Sequence, residues 1–122
     1  IGETTLAEYF VLSEMASAYI GMDTLNMHIA ASQNKPIFAI FGPTNLEIWA
    51  PWCNILGRAT NINTPKQTYG NITIFQADMP CVACGMAGCD NKNGKSECLF
   101  NIDPKIIFIE IKNWFQNINA KF

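Results

Sequence analysis

The sequence predicts an α/β fold, a parallel sheet with flanking helices, and three stretches carry that reading. Residues 18–44, AYIGMDTLNMHIAASQNKPIFAIFGPT, read as strand, polar turn, helix and second strand, which is a βαβ unit. The second apolar run, Ile37 to Phe41, is continuous rather than alternating, as expected of a parallel strand covered on both faces. Asp103-Pro104 then opens an Ile-rich periodic stretch that reads as a long terminal helix.

In chain order, Thr5-Leu6-Ala7-Glu8 has the capping-box form and starts a helix on which Leu6, Phe10, Ser13 and Ser17 recur. Its apolar flank also holds Tyr9, Leu12 and Ala16. Ala18 to Met22 is expected to be a buried strand. Asp23 takes the N-cap of the next helix, its carboxylate accepting from the backbone N–H groups of Leu25 and Asn26. That helix runs to about Gln33, with Leu25, Ile29 and Ala30 available to pack on the sheet, and Asn34-Lys35-Pro36 stops it. Thr44-Asn45-Leu46-Glu47 repeats the capping-box form for a short helix through Ile48 and Trp49, which Pro51 ends. Asn54 to Gly57 reads as a short strand, Thr60 to Thr68 as a polar loop, and Asn71 to Gln76 as a β-branched strand. Residues 80–98 lose the apolar periodicity and read as a Cys-rich loop. The terminal helix runs from Pro104 to about Ala120 with Ile106, Ile107, Ile109, Ile111, Trp114 and Phe115 as its apolar face. The organisation expected is one partial domain: a core at 1–79, the Cys-rich loop at 80–98 and a helical segment at 99–122.

Composition narrows the function. A chain of 122 residues buries a moderate core as one domain but is short for a two-domain enzyme, and its first residue is Ile, so a piece of a longer protein is expected. Net charge of −2 with 15% charged residues is not the basic footprint of a nucleic-acid binder, so no nucleic-acid partner is expected. No apolar run approaches the roughly 20 residues of a membrane-spanning helix.

Ligands of open parallel sheets collect outside the carboxyl ends of the strands. Those ends carry Asp23-Thr24 and Gly42-Pro43-Thr44, and the adjoining helix N-terminus favours an anion such as phosphate. Thr24 and His28, four residues apart, share a helix face. Each feature also has a plainer reading: Asp23 and Thr24 as a simple cap, His28 as a packing residue, Gly42-Pro43-Thr44 as a tight turn, and Trp49 and Trp52 as buried aromatic surface rather than the border of a base or sugar.

These residues resemble glycosyltransferase family nine, the ADP-heptose:lipopolysaccharide heptosyltransferases. The family pattern Asp-Thr/Ser-Gly-x-x-His-x-Ala-Ala, then a strand, then Phe/Tyr-Gly-Pro-Thr, is matched except at its glycine by Asp23-Thr24-Leu25-Asn26-Met27-His28-Ile29-Ala30-Ala31 and Phe41-Gly42-Pro43-Thr44. Upstream, Gly2-Glu3-Thr4-Thr5-Leu6-Ala7-Glu8 is similar to the Gly-x-Thr-x-Leu-x-Glu that opens the preceding helix, and the likeness continues to Cys98-Leu99. The resemblance implies a partial Rossmann-like sheet, the C-terminal donor-binding portion of a GT-B glycosyltransferase, with the acceptor domain and its catalytic base outside these residues. It implies that Asp23, Thr24, Leu25, His28, Gly42, Pro43 and Thr44 meet a nucleotide-sugar donor, ADP-heptose, and that the whole protein transfers heptose with inversion to a lipopolysaccharide core acceptor. No cofactor is implied for transfer, no catalytic residue is assigned, and the isolated piece is expected to be inactive. Cytoplasmic residence, at the inner face of the bacterial inner membrane, is implied as well. Leu25 departs from the family glycine, and its side chain limits how closely a phosphate approaches the backbone. A GT-B enzyme using another nucleotide sugar, or a non-catalytic nucleotide- or metal-binding module, therefore stands beside the first reading.

Of five cysteines, Cys81, Cys84, Cys89 and Cys98 are spaced C-x2-C-x4-C-x8-C, and the first pair has knuckle spacing for zinc. A structural metal site, zinc before other metals, is the first option, reduced thiols the next, and disulfides or an iron–sulfur cluster stand together behind them. Missing strands would leave a sheet edge and apolar helix surface uncovered, which predicts self-association of the piece.

Overall fold

The structure, a computed structural model, describes residues 2–86, 89 and 96–119. Among these the elements run α1 (Leu6–Met15), β1 (Tyr19–Met22), α2 (Leu25–Ser32), β2 (Ile37–Ile40), α3 (Leu46–Trp49), β3 (Lys66–Tyr69), β4 (Ile72–Phe75), α4 (Glu97–Phe100) and α5 (Pro104–Asn119). The strands make one sheet in the order β1-β2-β4-β3. The pairs β1/β2 and β2/β4 are parallel, and β3 runs antiparallel to β4 at the edge. The α/β class and the helix-flanked, mostly parallel sheet are those the sequence predicts.

Side-chain alternation along the two central strands gives the sheet its two packed faces. Ile37 and Ala39 of β2 stand beside Ile72 and Ile74 of β4, and this face, with Phe41, packs on Met27, Ala30 and Ala31 of α2 and on Leu46, Cys53 and Tyr69. Each fully buried Ile, Leu or Met here contributes about 1.5–3 kcal/mol. On the opposite face Phe38 sits beside Thr73, and α5 covers them through Trp114, whose ring meets Phe38 edge-on at 5.6 Å. An ion pair from Lys66 of β3 to Glu110, N to O 2.6 Å, ties α5 to the far edge.

Several local expectations change. Residues 18–22 do not form a buried strand: β1 is a sheet edge with alternating exposure, and Ile20 is 53% exposed. The cap of α2 is Thr24 rather than Asp23, with no side-chain capping bond, and Leu25 is exposed rather than packed on the sheet. Asn45, not Thr44, caps α3, its Oδ1 accepting from the Glu47 amide. Asn54 to Gly57 is a turn closed by a Cys53–Arg58 bridge, because Gly57 adopts a left-handed φ of +66°. The span read as polar loop contains the start of β3, which joins β4 through Gly70-Asn71; Gly70 at φ +58° is the glycine-first pattern of a two-residue hairpin turn. α1 ends at Met15, two residues short of Ser17.

Other signals operate as read. Thr5 and Glu8 form the reciprocal capping box of α1, and Asp103 Oδ1 accepts from the Lys105 amide at the start of α5. Asn34 ends α2 in a left-handed conformation, φ +59°, and Asn54 Nδ2 donates to Ser32 O and Asn34 Oδ1 there. The inward face of α5 is carried by Ile107, Ile111, Trp114 and Ile118; Ile106, Ile109 and Phe115, expected on it, are exposed.

Candidate functional site

Strands β1 and β2 are paired in parallel to their last residues, Met22 against Ile40, so the loops that follow leave the same end of the sheet from adjacent strands. One loop is Asp23-Thr24 opening α2, and the other is Gly42-Pro43-Thr44. The topology thus brings the expected loops together.

The first loop is held by a residue the motif does not include. Tyr19 Oη donates to Met22 O at 2.8 Å, which leaves its lone pair to accept from Thr24 Oγ1 at 3.2 Å. Gly21 makes room for the ring, since a Cβ there would lie 2.7 Å from Tyr19 Oη. Because Thr24 points at Tyr19, its hydroxyl does not cap α2, and the amides of Leu25 and Asn26 open the helix without a side-chain partner. Both residues are exposed at the helix opening, whereas Asp23 and His28 are half-buried. His28 lies one turn in, its amide donating to Thr24 O at 3.4 Å.

The second loop is clamped from three sides. Gln76, 3% exposed at the end of β4, directs Nε2 to Gly42 O (3.5 Å), Thr44 O (3.2 Å) and Asn63 Oδ1 (3.4 Å). Gly85 N–H donates to Pro43 O at 2.8 Å, and Leu99 of α4 covers Gly42, where a Cβ would come within 3.2 Å of its side chain. Gly42 is buried and Pro43 and Thr44 half-buried, so the turn is fixed rather than loose. Neither Gln76 nor Tyr19 is in the sequence motif. A glutamine directly after the apolar run Ile72–Phe75 was the visible sign of the former. Trp49 and Trp52 are exposed by 56% and 54%, which rules out the plain reading of buried aromatic surface.

All four clustered cysteines, with Pro43, Val82, Met86 and Ser96, line one small cavity of about 10 Å³. Their thiols are free, as is that of the fully buried Cys53. Cys89 Sγ accepts from the Glu97 amide at 3.4 Å. Burial pushes the Cys98 thiol up from the ordinary range, against a backbone bond from Leu99, with the Cys89 and Cys84 thiols raising it further. Among the described residues no three His, Cys, Asp or Glu side chains already stand grouped as a metal ion would hold them.

In α/β sheets generally, anions bind at helix N-termini beside the carboxyl ends of parallel strands, and this mostly parallel sheet carries such a helix opening next to a fixed Gly-Pro-Thr turn. The family model of glycosyltransferase family 9 (heptosyltransferase) matches residues 1–76, more than half of the chain, and both loops lie inside that match. The chain belongs to this family. It is 40% identical over 53 residues to lipopolysaccharide heptosyltransferase 3 of Escherichia coli, a match covering 43% of this chain and 16% of that protein. It is 26% identical over 99 residues to lipooligosaccharide heptosyltransferase 2 of Campylobacter jejuni, covering 81% of this chain and 26% of that protein. The chain thus spans between about a sixth and a quarter of these relatives. No solved structure gives a significant match. Among the described residues no helix is long and apolar enough to cross a membrane.

Proposed function

We propose that the chain is the donor-binding portion of a GT-B heptosyltransferase that transfers heptose from ADP-heptose, with inversion, to a lipopolysaccharide core acceptor in the cytoplasm, at the inner face of the inner membrane. One observation carries this: in a family 9 chain, the uncapped N-terminus of α2 opens beside the clamped Gly42-Pro43-Thr44 turn at the ends of two adjacent parallel strands. The amides of Leu25 and Asn26 together with the helix dipole favour a diphosphate, whose charge grows as the sugar leaves. In this reading Thr24 turns its hydroxyl from Tyr19 to a phosphate oxygen, and His28 contacts the ribose or phosphate. Asp23 is suited to the sugar hydroxyls rather than to the phosphates, whose charge it would repel. The acceptor and catalytic base belong to parts of the protein outside these residues, and transfer at this site needs no cofactor.

Leu25, 61% exposed at the helix opening, supports a second reading in which the nucleotide sugar differs, since its side chain crowds the phosphate approach. Titrating ADP, UDP and GDP into the full-length protein separates the two. Selective ADP binding that weakens about tenfold or more in Thr24→Ala, a loss of about 1.4 kcal/mol, is the expected result. Preference for UDP or GDP favours the second reading. No nucleotide binding at all would overturn both and leave a non-catalytic module.

A further inference from the structure

We infer that Cys81, Cys84, Cys89 and Cys98 form a structural zinc site that pins the Cys-rich segment against the Gly42-Pro43-Thr44 turn. Three observations carry this independently of any nucleotide. The four thiols, 17 positions apart from first to last in sequence, line a single cavity of about 10 Å³, close to the volume one water-sized sphere occupies. Sulfur is the only ligand type offered there in number, and soft thiolates with no imidazole or carboxylate select zinc over magnesium or calcium. Cys89 Sγ already accepts a backbone amide, from Glu97, the type of outer contact that orients and stabilises a ligating thiolate.

The thiols face a common space without standing at ligand separation, so the ion completes the site by drawing them in. Cys81 and Cys84 are exposed, so solvent rather than packed protein borders the path of their thiols toward the ion, whereas Cys98 is buried on α4. Each ligating thiol releases its proton to solvent as its sulfur bonds the metal, so binding weakens as pH falls. Among the described residues, Gly85 N–H bonds Pro43 O and Leu99, next to Cys98, packs over Gly42, so closing the thiols around an ion steadies the turn.

The test is metal analysis of the full-length chain purified without chelators and under reducing conditions. One zinc per chain is expected, lost in the Cys81→Ser/Cys84→Ser double variant; both positions are exposed, so its circular dichroism should match the parent. Cobalt added to metal-free protein should give intense thiolate-to-cobalt charge-transfer bands with tetrahedral d–d bands, absent from the double variant. Only trace metal together with no thiolate–cobalt bands, iron with acid-labile sulfide, or a disulfide between any two of the four in mass spectra would each overturn the inference. None of these readouts involves a nucleotide, so failure here and failure of the donor-site reading are distinguishable.

Discussion

Gln76 Nε2 has three acceptors within 3.5 Å, two of them backbone carbonyls of the Gly42-Pro43-Thr44 turn, in a position from which water is almost excluded. A buried carbonyl that loses its donor keeps its desolvation cost, so the residue matters more than its net hydrogen-bond energy suggests. Gln76→Ala is expected to lower the stability of the chain by about 1–3 kcal/mol. Urea unfolding should show a lower midpoint with an unchanged slope, and a loss under about 0.5 kcal/mol would contradict the clamp. The motif residues are different in kind. Asp23, Thr24, Pro43 and Thr44 are legible in sequence because strand ends and turn chemistry are local. Gln76 and Tyr19 hold those residues through contacts that no spacing rule encodes, and the one trace of either in the sequence is a glutamine directly after the run that forms β4.

At the scale of elements, the β3–β4 hairpin is the clearest departure from expectation. Lys66–Tyr69 is polar and alternates weakly, so it does not resemble a strand, although Gly70-Asn71 is a hairpin signal in plain view. What makes it a strand is the ladder with β4 and the anchoring of its last residue: Tyr69 Oη donates to Pro51 O at 2.8 Å from a nearly sealed position. Burial raises the Tyr69 phenol well above the ordinary tyrosine range, opposed by the Thr60 backbone and by Arg58, whose guanidinium lies 5.8 Å from the ring centre. The folded state therefore holds this proton more tightly than the unfolded chain, which releases it near pH 10. Stability from this group is intact below about pH 10 and falls as pH rises above it. Melting temperature measured from pH 8 upward should drop beyond that point in the parent and drop less in Tyr69→Phe; equal alkaline slopes in the two proteins would refute the linkage.

Taken as a whole, the molecule has one well-buried centre and one uncovered side. β2 and β4 are sealed between α2 and α5, whereas α1 buries only Ser13 and leaves Leu6, Val11, Leu12 and Met15 exposed, and β1 is an edge strand of the sheet. A free strand edge and contiguous apolar side chains associate readily. The 122-residue chain expressed alone is expected to self-associate with concentration and to show no heptose transfer. A monodisperse monomer in light scattering would contradict the first expectation, and turnover of ADP-heptose the second.

The sequence by itself determined the class of fold, the βαβ unit, the pairing of two strand-end loops, the start signals of α1 and α5 and the stop signals of α2 and α3. All of these depend on periodicity and on backbone preferences within a few residues. Tertiary structure alone decided that β1 is an edge, that Lys66–Tyr69 joins the sheet, that Thr24 turns to Tyr19 and leaves α2 uncapped, and that the four clustered cysteines line one cavity. Those outcomes depend on which side chains and strand edges meet once the chain is packed, and local propensity carries no record of that meeting.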